Sequence, residues 1–329
     1  MTDSHQNRSS ITLLASLLGL NLLVWIATLA TPRLLTAAFL AWTFGLRHAL
    51  DADHIAAIDS VTRKLMAQEK KLLGVGLFFS LGHSSVVCFA TLALLLLPSH
   101  NWMESWHEMG GLIGSVVSIL FLVIMTVSNG AAAYRQWRAQ LSGTLSEKQV
   151  AQGPSGLLTR MVAPVTKRIQ HDWQMFPLGF LFGLGFDTAT EIGLLGLTTA
   201  QASQGLSMLS IMLLPALFTA GMAFMDSLDT VLMVRAWTWS GGSTLRRAHY
   251  GLAITTVSAL ASGLVALIEA GQFAADAAAM PHPLQTLLSV VMDHFEILGM
   301  MIALVFLGLW AIVAIRSARD SRTACTENS

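Results

Sequence analysis

Phe44-Gly-Leu-Arg-His48-Ala-Leu-Asp51-Ala-Asp53-His54-Ile55 sets two imidazoles and two carboxylates within seven residues, inside the otherwise apolar stretch Leu35–Asp59. Working outward, the surroundings are those of a membrane. The chain has 329 residues, 54% of them hydrophobic and 12% charged, with a mean hydropathy of +0.62. Soluble domains carry about 25% charged residues. A helix needs about 20 apolar residues to cross the hydrocarbon core. Eight stretches meet that length: Ile11–Thr31, Leu35–Asp59, Leu72–Leu97, Leu112–Tyr134, Phe176–Ala200, Ser207–Val234, Tyr250–Phe273 and Leu287–Ile315. The first has the Arg8-bearing head of a secretory leader and a weak cleavage site at Ala27-Thr28-Leu29-Ala30. Its apolar part exceeds the usual length of about 7–15 residues, so it is read as a retained span.

The basic residues order these spans. With the N-terminus in the cytoplasm, 17 of the 19 Lys and Arg fall on the inner side, Arg33 lies outside and Arg47 sits within the second span. The outer loops Pro98–Gly111, Gln201–Leu206 and Ala274–Thr286 hold no Lys or Arg, and this bias sets topology. The expectation is an all-α polytopic protein of the cytoplasmic (inner) membrane, with eight transmembrane helices and both termini cytoplasmic. One transmembrane domain, 1–329, divides into four-helix halves 1–134 and 176–329. A polar cytoplasmic linker, 135–175, joins them, with breakers at Gly153-Pro154 and Ser155-Gly156.

Several functions are excluded. The balance of 19 basic and 19 acidic residues argues against nucleic-acid binding. Cys88 and Cys325 cannot make a disulfide scaffold. No phosphate-cradling Gly-x4-Gly-Lys-[Ser/Thr] run is present, so the chain hydrolyses no nucleotide by that means.

Ionisable residues in the spans point to a substrate. Asp51, Asp53, Asp59, Asp187, Glu191, Asp226, Asp229 and Glu269 face a single Arg47. Burying them costs on the order of 10 kcal/mol on the insertion scale, even discounted for depth and pairing. Helix-pairing hydrogen bonds account for one or two such residues, and eight acids against one base require cations. His48 and His54 in span two and His83 in span three turn this cation pathway into a transition-metal pathway. Imidazole with carboxylate suits divalent nickel, cobalt, zinc or manganese. The 16 Met are scattered, which argues against a copper(I) conduit.

At about 100° per residue, an unbroken helix puts His48, Asp51 and His54 on one face and Asp53 almost opposite. Two geometries stay open: a regular helix with Asp51 as the ligand and Asp53 behind an imidazole, or a helix opened at the site, as transporters use. In span five Asp187 and Glu191 share a face at i, i+4, and in span six Asp226 and Asp229 do so at i, i+3. Phe44-Gly-Leu-x-His48…Asp53-His54-Ile55 is echoed by Phe182-Gly-Leu-x-Phe186…Thr190-Glu191-Ile192 with one residue of offset. Each is followed by a span with a Ser/Thr cluster, Ser84-Ser85 and Ser227…Thr230, which suggests an inverted repeat of helices 2–3 and 5–6.

Taken together, these residues resemble the nickel/cobalt transporter (NiCoT) family of secondary permeases. The resemblance rests on Arg47-His-Ala-Leu-Asp-Ala-Asp-His-Ile55, with its His-x4-Asp-His signature, and on Leu81-Gly-His-Ser-Ser-Val-Val87. Leu184-Gly-Phe-Asp-Thr-Ala-Thr-Glu191 and Gly221-Met-x3-Asp226-Ser227-Leu-Asp229 support it, the last with Ser227 where the family usually has Thr. It implies uptake of Ni²⁺ or Co²⁺ as substrate across the cytoplasmic membrane, with His48, Asp53 and His54 as signature residues. The expected metal-contacting set is His48, Asp51, Asp53, His54, His83, Asp187, Glu191, Asp226 and Asp229. No cofactor, ATPase subunit or enzymatic activity is expected, and the partners are the metal ion and the lipid bilayer. Two rivals stand beside this reading. A metal exporter of similar build would often carry a His-rich cytoplasmic loop, and 135–175 holds one His, His171. A membrane di-iron hydroxylase would need several His boxes.

Overall fold

The computed structural model describes residues 2–67, 73–97, 101–142, 169–185, 189–239, 244–277, 282–292 and 294–327. Among them the chain is helical, with no strand. The helices are α1 (Thr2–Leu29), α2 (Leu35–His48), α3 (Ala52–Ala67), α4 (Val75–Leu96), α5 (Asn101–Leu141), α6 (Met175–Phe182), α7 (Ala189–Ser203), α8 (Met208–Ile211), α9 (Leu213–Trp239), α10 (Thr244–Ala277), α11 (His282–Met292) and α12 (Phe295–Glu327).

Five stretches among the described residues are long and apolar enough to cross a bilayer: Arg8–Leu29, Val75–Leu96, Met109–Leu141, Met208–Arg235 and Gly251–Ala275. A sixth forms if Gln285–Met292 and Ile297–Leu309, bent by 61°, count as one. They coincide with six of the eight expected stretches. The other two, expected as single spans, each fall as a pair of shorter helices: α2 with α3, and α6 with α7. The described residues therefore give five or six apolar spans, with breaks in the second and fifth segments.

The first break has a clear local cause. Leu50 and Asp51 bond back three residues instead of four, to the carbonyls of Arg47 and His48 at 2.9 Å each. The α pattern resumes when the Ile55 amide reaches the Asp51 carbonyl at 3.2 Å. Gly299 of α12 packs so closely on the Leu50 carbonyl that a Cβ would overlap it. The turn Ala49–Asp51 is thus wedged in place from the side. At the second break α6 stops at Phe182, and its last turn is capped by the Gly183 amide on the Gly179 carbonyl at 2.9 Å.

Helices from both halves interleave. α9 packs on α1, α2, α3 and α4; α4 packs on α6; α5 packs on α10. Lipid offers no hydrophobic drive between helices, so small residues that let backbones approach set these contacts. Gly45 of α2 lies against the Phe218 carbonyl of α9, and Gly179 of α6 lies against the Phe79 carbonyl of α4. Outside this bundle are the side chains lipid would cover: Leu22, Leu23 and Ile26 on α1, Leu260 and Leu267 on α10, and Leu304 on α12 are all exposed. Tyr134 and Trp137, near the end of α5, are exposed and stand 6.1 Å apart, as aromatic residues do at a membrane interface. Most of the expected linker 135–175 lies outside the described residues; at its ends α5 continues to Leu141 and α6 begins at Met175.

Candidate metal site

Breaking the helix after His48 re-aims the next turn. His54, three residues into α3, comes back beside His48, with ring centroids 4.6 Å apart. His83, halfway along α4, completes a triangle at 4.7 Å from His48 and 4.8 Å from His54. All three are buried, at 1%, 0% and 3% exposure respectively. One ring nitrogen from each can be chosen so that all lie within 4.8 Å of one another. Metal–imidazole bonds of about 2.0–2.1 Å allow nitrogens no more than about 4.2 Å apart, so a small inward movement makes the triangle a ligand set. Nε2 of His48 and Nε2 of His83 are already 2.8 Å apart.

Carboxylates and hydroxyls surround the triangle. Asp51 Oδ2 is 2.8 Å from His48 Nδ1, and Thr190 Oγ1 is 3.1 Å from the same nitrogen. Glu191 Oε1 is 2.9 Å from His83 Nε2. Asp226 Oδ2 is 3.5 Å from His54 Nδ1, and Ser80 donates to that oxygen at 2.6 Å. Among the described residues, neither ring nitrogen of His54 has a hydrogen-bond partner, nor does Nδ1 of His83. Buried polar atoms are normally satisfied. Buried imidazole nitrogens without a protein partner, inside a ring of acids, match the donor chemistry of a divalent transition-metal site.

The expected residues are distributed as follows. His48, His54 and His83 come together, with Asp51, Glu191 and Asp226 touching them. Asp53, on the first turn of α3, is half-buried and hydrogen-bonds to neither His48 nor His54, though it is within electrostatic range of both. Asp229, one turn beyond Asp226, forms part of the wall of a cavity of about 180 Å³ that begins at the Ala49-Leu50 turn. Asp187 lies outside the described residues. The opened geometry is present, yet Asp51 and not Asp53 holds His48. Because its contact is with Nδ1, Asp51 leaves Nε2 turned toward His83. A carboxylate on the far nitrogen of a metal-binding imidazole sets its tautomer and orientation.

Sequence reasoning passed over three contributors. Ser80 was hidden because it precedes the Leu81–Val87 motif, although it lies one helical turn before His83. Thr190 stood inside a quoted motif, but no one-dimensional signal pairs it with His48. Arg63 was counted among the inner-side charges with no partner assigned. It is buried at 5% exposure and joined to Asp59 at 3.1 Å.

Known proteins resemble this chain over most of its length. A family model described as "High-affinity nickel-transport protein" (NicO) matches residues 34–316. The chain is 39% identical over 325 residues to a high-affinity nickel transport protein of Cupriavidus necator, covering 95% of this chain and 93% of that one. It is 37% identical to a nickel transporter of Staphylococcus aureus, NixA, covering 93% and 92%. It is also 37% identical to the cobalt transport protein NhlF of Rhodococcus rhodochrous, covering 82% and 79%. No solved structure matches. By the extent of the family match and of these relatives, the chain belongs to the NicO family of high-affinity nickel-transport proteins.

Proposed function

We propose that this protein is a secondary permease that takes up Ni²⁺, with Co²⁺ as a second substrate, across the cytoplasmic membrane. The observation that carries the reading is the buried triangle of His48, His54 and His83 at a helix break, ringed by Asp51, Glu191 and Asp226. Neutral imidazoles supply the donors these ions prefer, and the carboxylates supply the charge that replaces their hydration shell. The relatives named for nickel and the one named for cobalt support the same pair of substrates.

In this reading His48, His54 and His83 bind the ion, Asp51 and Thr190 hold the ring of His48, and Ser80 holds Asp226. Glu191 and Asp226 balance charge at the site, while Asp53 and Asp229 line its approaches. The broken pairs α2/α3 and α6/α7 each cross the bilayer, giving eight passes with both termini in the cytoplasm. They are the moving parts of the two inverted halves, each hinged at the site. A membrane potential, negative inside, favours inward movement of a divalent ion by about 2 × 2.3 kcal/mol per 100 mV, so no ATPase subunit is needed. The test is accumulation of radiolabelled Ni²⁺ in proteoliposomes holding the purified protein, with Co²⁺ as competitor. Accumulation that follows an imposed inside-negative potential supports the reading. No accumulation under any imposed potential overturns it.

A further inference from the structure

Beyond the histidine triangle the buried acids continue in one direction. α3 carries Asp59 about 7.5 Å along its axis from His54, and Arg63 about 13.5 Å along it. On α9, Asp229 lies one turn beyond Asp226, and Asp59 and Asp229 lie within electrostatic range of each other. In the proposed topology both helices run inward, so these residues lie between the histidine triangle and the cytoplasm.

Two features make this more than a cluster of acids. The first is the cavity of about 180 Å³ that begins at the Ala49-Leu50 turn and reaches Ile254, with Asp229 as the charged residue in an apolar wall. Asp229 Oδ2 and Asp59 Oδ1 are buried and, among the described residues, lack hydrogen-bond partners. The second is a resident cation. Arg63 Nε donates to Asp59 Oδ2 at 3.1 Å, and its NH1 nitrogen donates to the Ile254 carbonyl at 2.9 Å, on the cavity wall. Ser258 also donates to Asp59. Asp59 is therefore tied to a guanidinium bonded to the wall of the same cavity that Asp229 faces.

We propose that Arg63 is a tethered counter-cation at the inner end of the metal path. Its guanidinium neutralises Asp59 and so keeps Asp59 and Asp229 from forming a second resting site for the divalent ion. The proposal rests on the transport reading and extends it to how the ion leaves. A buried and a half-buried carboxylate, with hydroxyl support and no compensating base, would hold a divalent cation and retard its release. With the guanidinium present, Asp59 is already neutralised, and Asp229 alone offers the ion a single carboxylate, too little for a resting site. An arginine suits this task because it stays charged at every accessible pH and its planar fork serves a carboxylate and a carbonyl together.

The experiment counts nickel ions bound per chain by equilibrium dialysis of the full-length protein in lipid nanodiscs, with Ni²⁺ alone as probe. Arg63→Gln should bind one further nickel ion per chain compared with wild type. Arg63→Lys should not, and the double variant Asp59→Asn/Arg63→Gln should return to the wild-type count. In uptake assays Arg63→Gln should lower the maximal rate without raising KM, because the ion now pauses at an extra site. If Arg63→Gln fails to insert, Arg63→Ala purified in millimolar guanidinium serves instead, and the further nickel binds only as guanidinium is dialysed away. A wild-type count in Arg63→Gln, or a gain that persists in the double variant, overturns the proposal and leaves the transport reading intact. A wild type that binds no nickel overturns both.

Discussion

Asp51→Asn isolates the part of the site that the helix break creates. Asp51 ends the turn and reaches His48 Nδ1 at 2.8 Å, so its carboxylate accepts the Nδ1 hydrogen bond and keeps Nε2, the nitrogen that faces His83, as the one turned toward the metal position. Asparagine keeps the shape and one carbonyl acceptor but removes the charge and lets the tautomer invert. Loss of such a partner costs about 10–100-fold in metal affinity, or about 1.4–2.7 kcal/mol. The charge adds a loss of the same sign. Its oxygen, the width of the ring and one metal–nitrogen bond put the ion about 7 Å away, where a unit charge acting on a divalent ion is worth up to about 5 kcal/mol at an effective dielectric of 20. The two losses add, so the fall in affinity should be about 100-fold or more, with uptake still measurable at raised nickel because Glu191 and Asp226 remain beside the histidines. The assay is the concentration dependence of radiolabelled Ni²⁺ uptake, normalised to protein in the membrane and paired with Asp53→Asn. Apparent affinity should fall more for Asp51→Asn than for Asp53→Asn, since Asp53 hydrogen-bonds to neither histidine. Wild-type affinity in Asp51→Asn together with no uptake in Asp53→Asn would refute the assignment of His48 to Asp51.

His54→Ala and His83→Ala should each reduce uptake at nanomolar nickel to background while the protein still reaches the membrane; normal accumulation in either removes that ring from the path. Uptake should fall as external pH drops below about 6, because a metal-binding imidazole must be neutral and its ordinary pKa is about 6.5. The sign follows from competition, since protons displace the ion at low pH and are absent at high pH; a flat profile from pH 5 to 7.5 counts against histidine ligation. Gly45→Val should cost about 1–3 kcal/mol by forcing α2 away from the Phe218 carbonyl, seen as a lower melting temperature in detergent, and an unchanged melting temperature would show that the close approach is dispensable.

What could be read in advance follows from which forces act locally along the chain. The spans were legible because hydrophobic length is a property of consecutive residues. Arg47-His-Ala-Leu-Asp-Ala-Asp-His-Ile55 was legible because polar groups inside such a span are costly, whatever they touch. Periodicity could not settle whether the helix opens between His48 and His54. An unbroken 100° advance puts Asp53 opposite His48, but Gly299, some 250 residues later, helps wedge the turn at Leu50. The partners of Arg63 were illegible for a related reason. Counting charges by side of the membrane says nothing of what each one touches, whereas Asp59 and the Ile254 carbonyl hold this one, and Ser258 donates to the same Asp59. Thr190 and Ser80 belong to the same class, since their partners lie 142 and 146 residues away.

The two breaks share one electrostatic logic. A helix C-terminus carries a partial negative charge from its unsatisfied carbonyls and favours a nearby cation. α2 ends at His48 itself, and α6 ends at Phe182, next to Gly183, which packs on the His83 carbonyl. One half-helix thus ends at a member of the histidine triangle and the other against the backbone of another member. The helices that follow begin with the opposite polarity and carry acids in their first turns, Asp53 in α3 and Glu191 in α7. Those acids offset the positive ends of their own helices, which would otherwise repel a cation. A continuous helix through either segment would present no terminus to the ion and would aim fewer of its polar groups at one point. The broken segments therefore do what a single amphipathic stripe cannot. They bring histidines from two helices, α2 and α3, against a third on α4 and concentrate negative potential where those imidazoles meet.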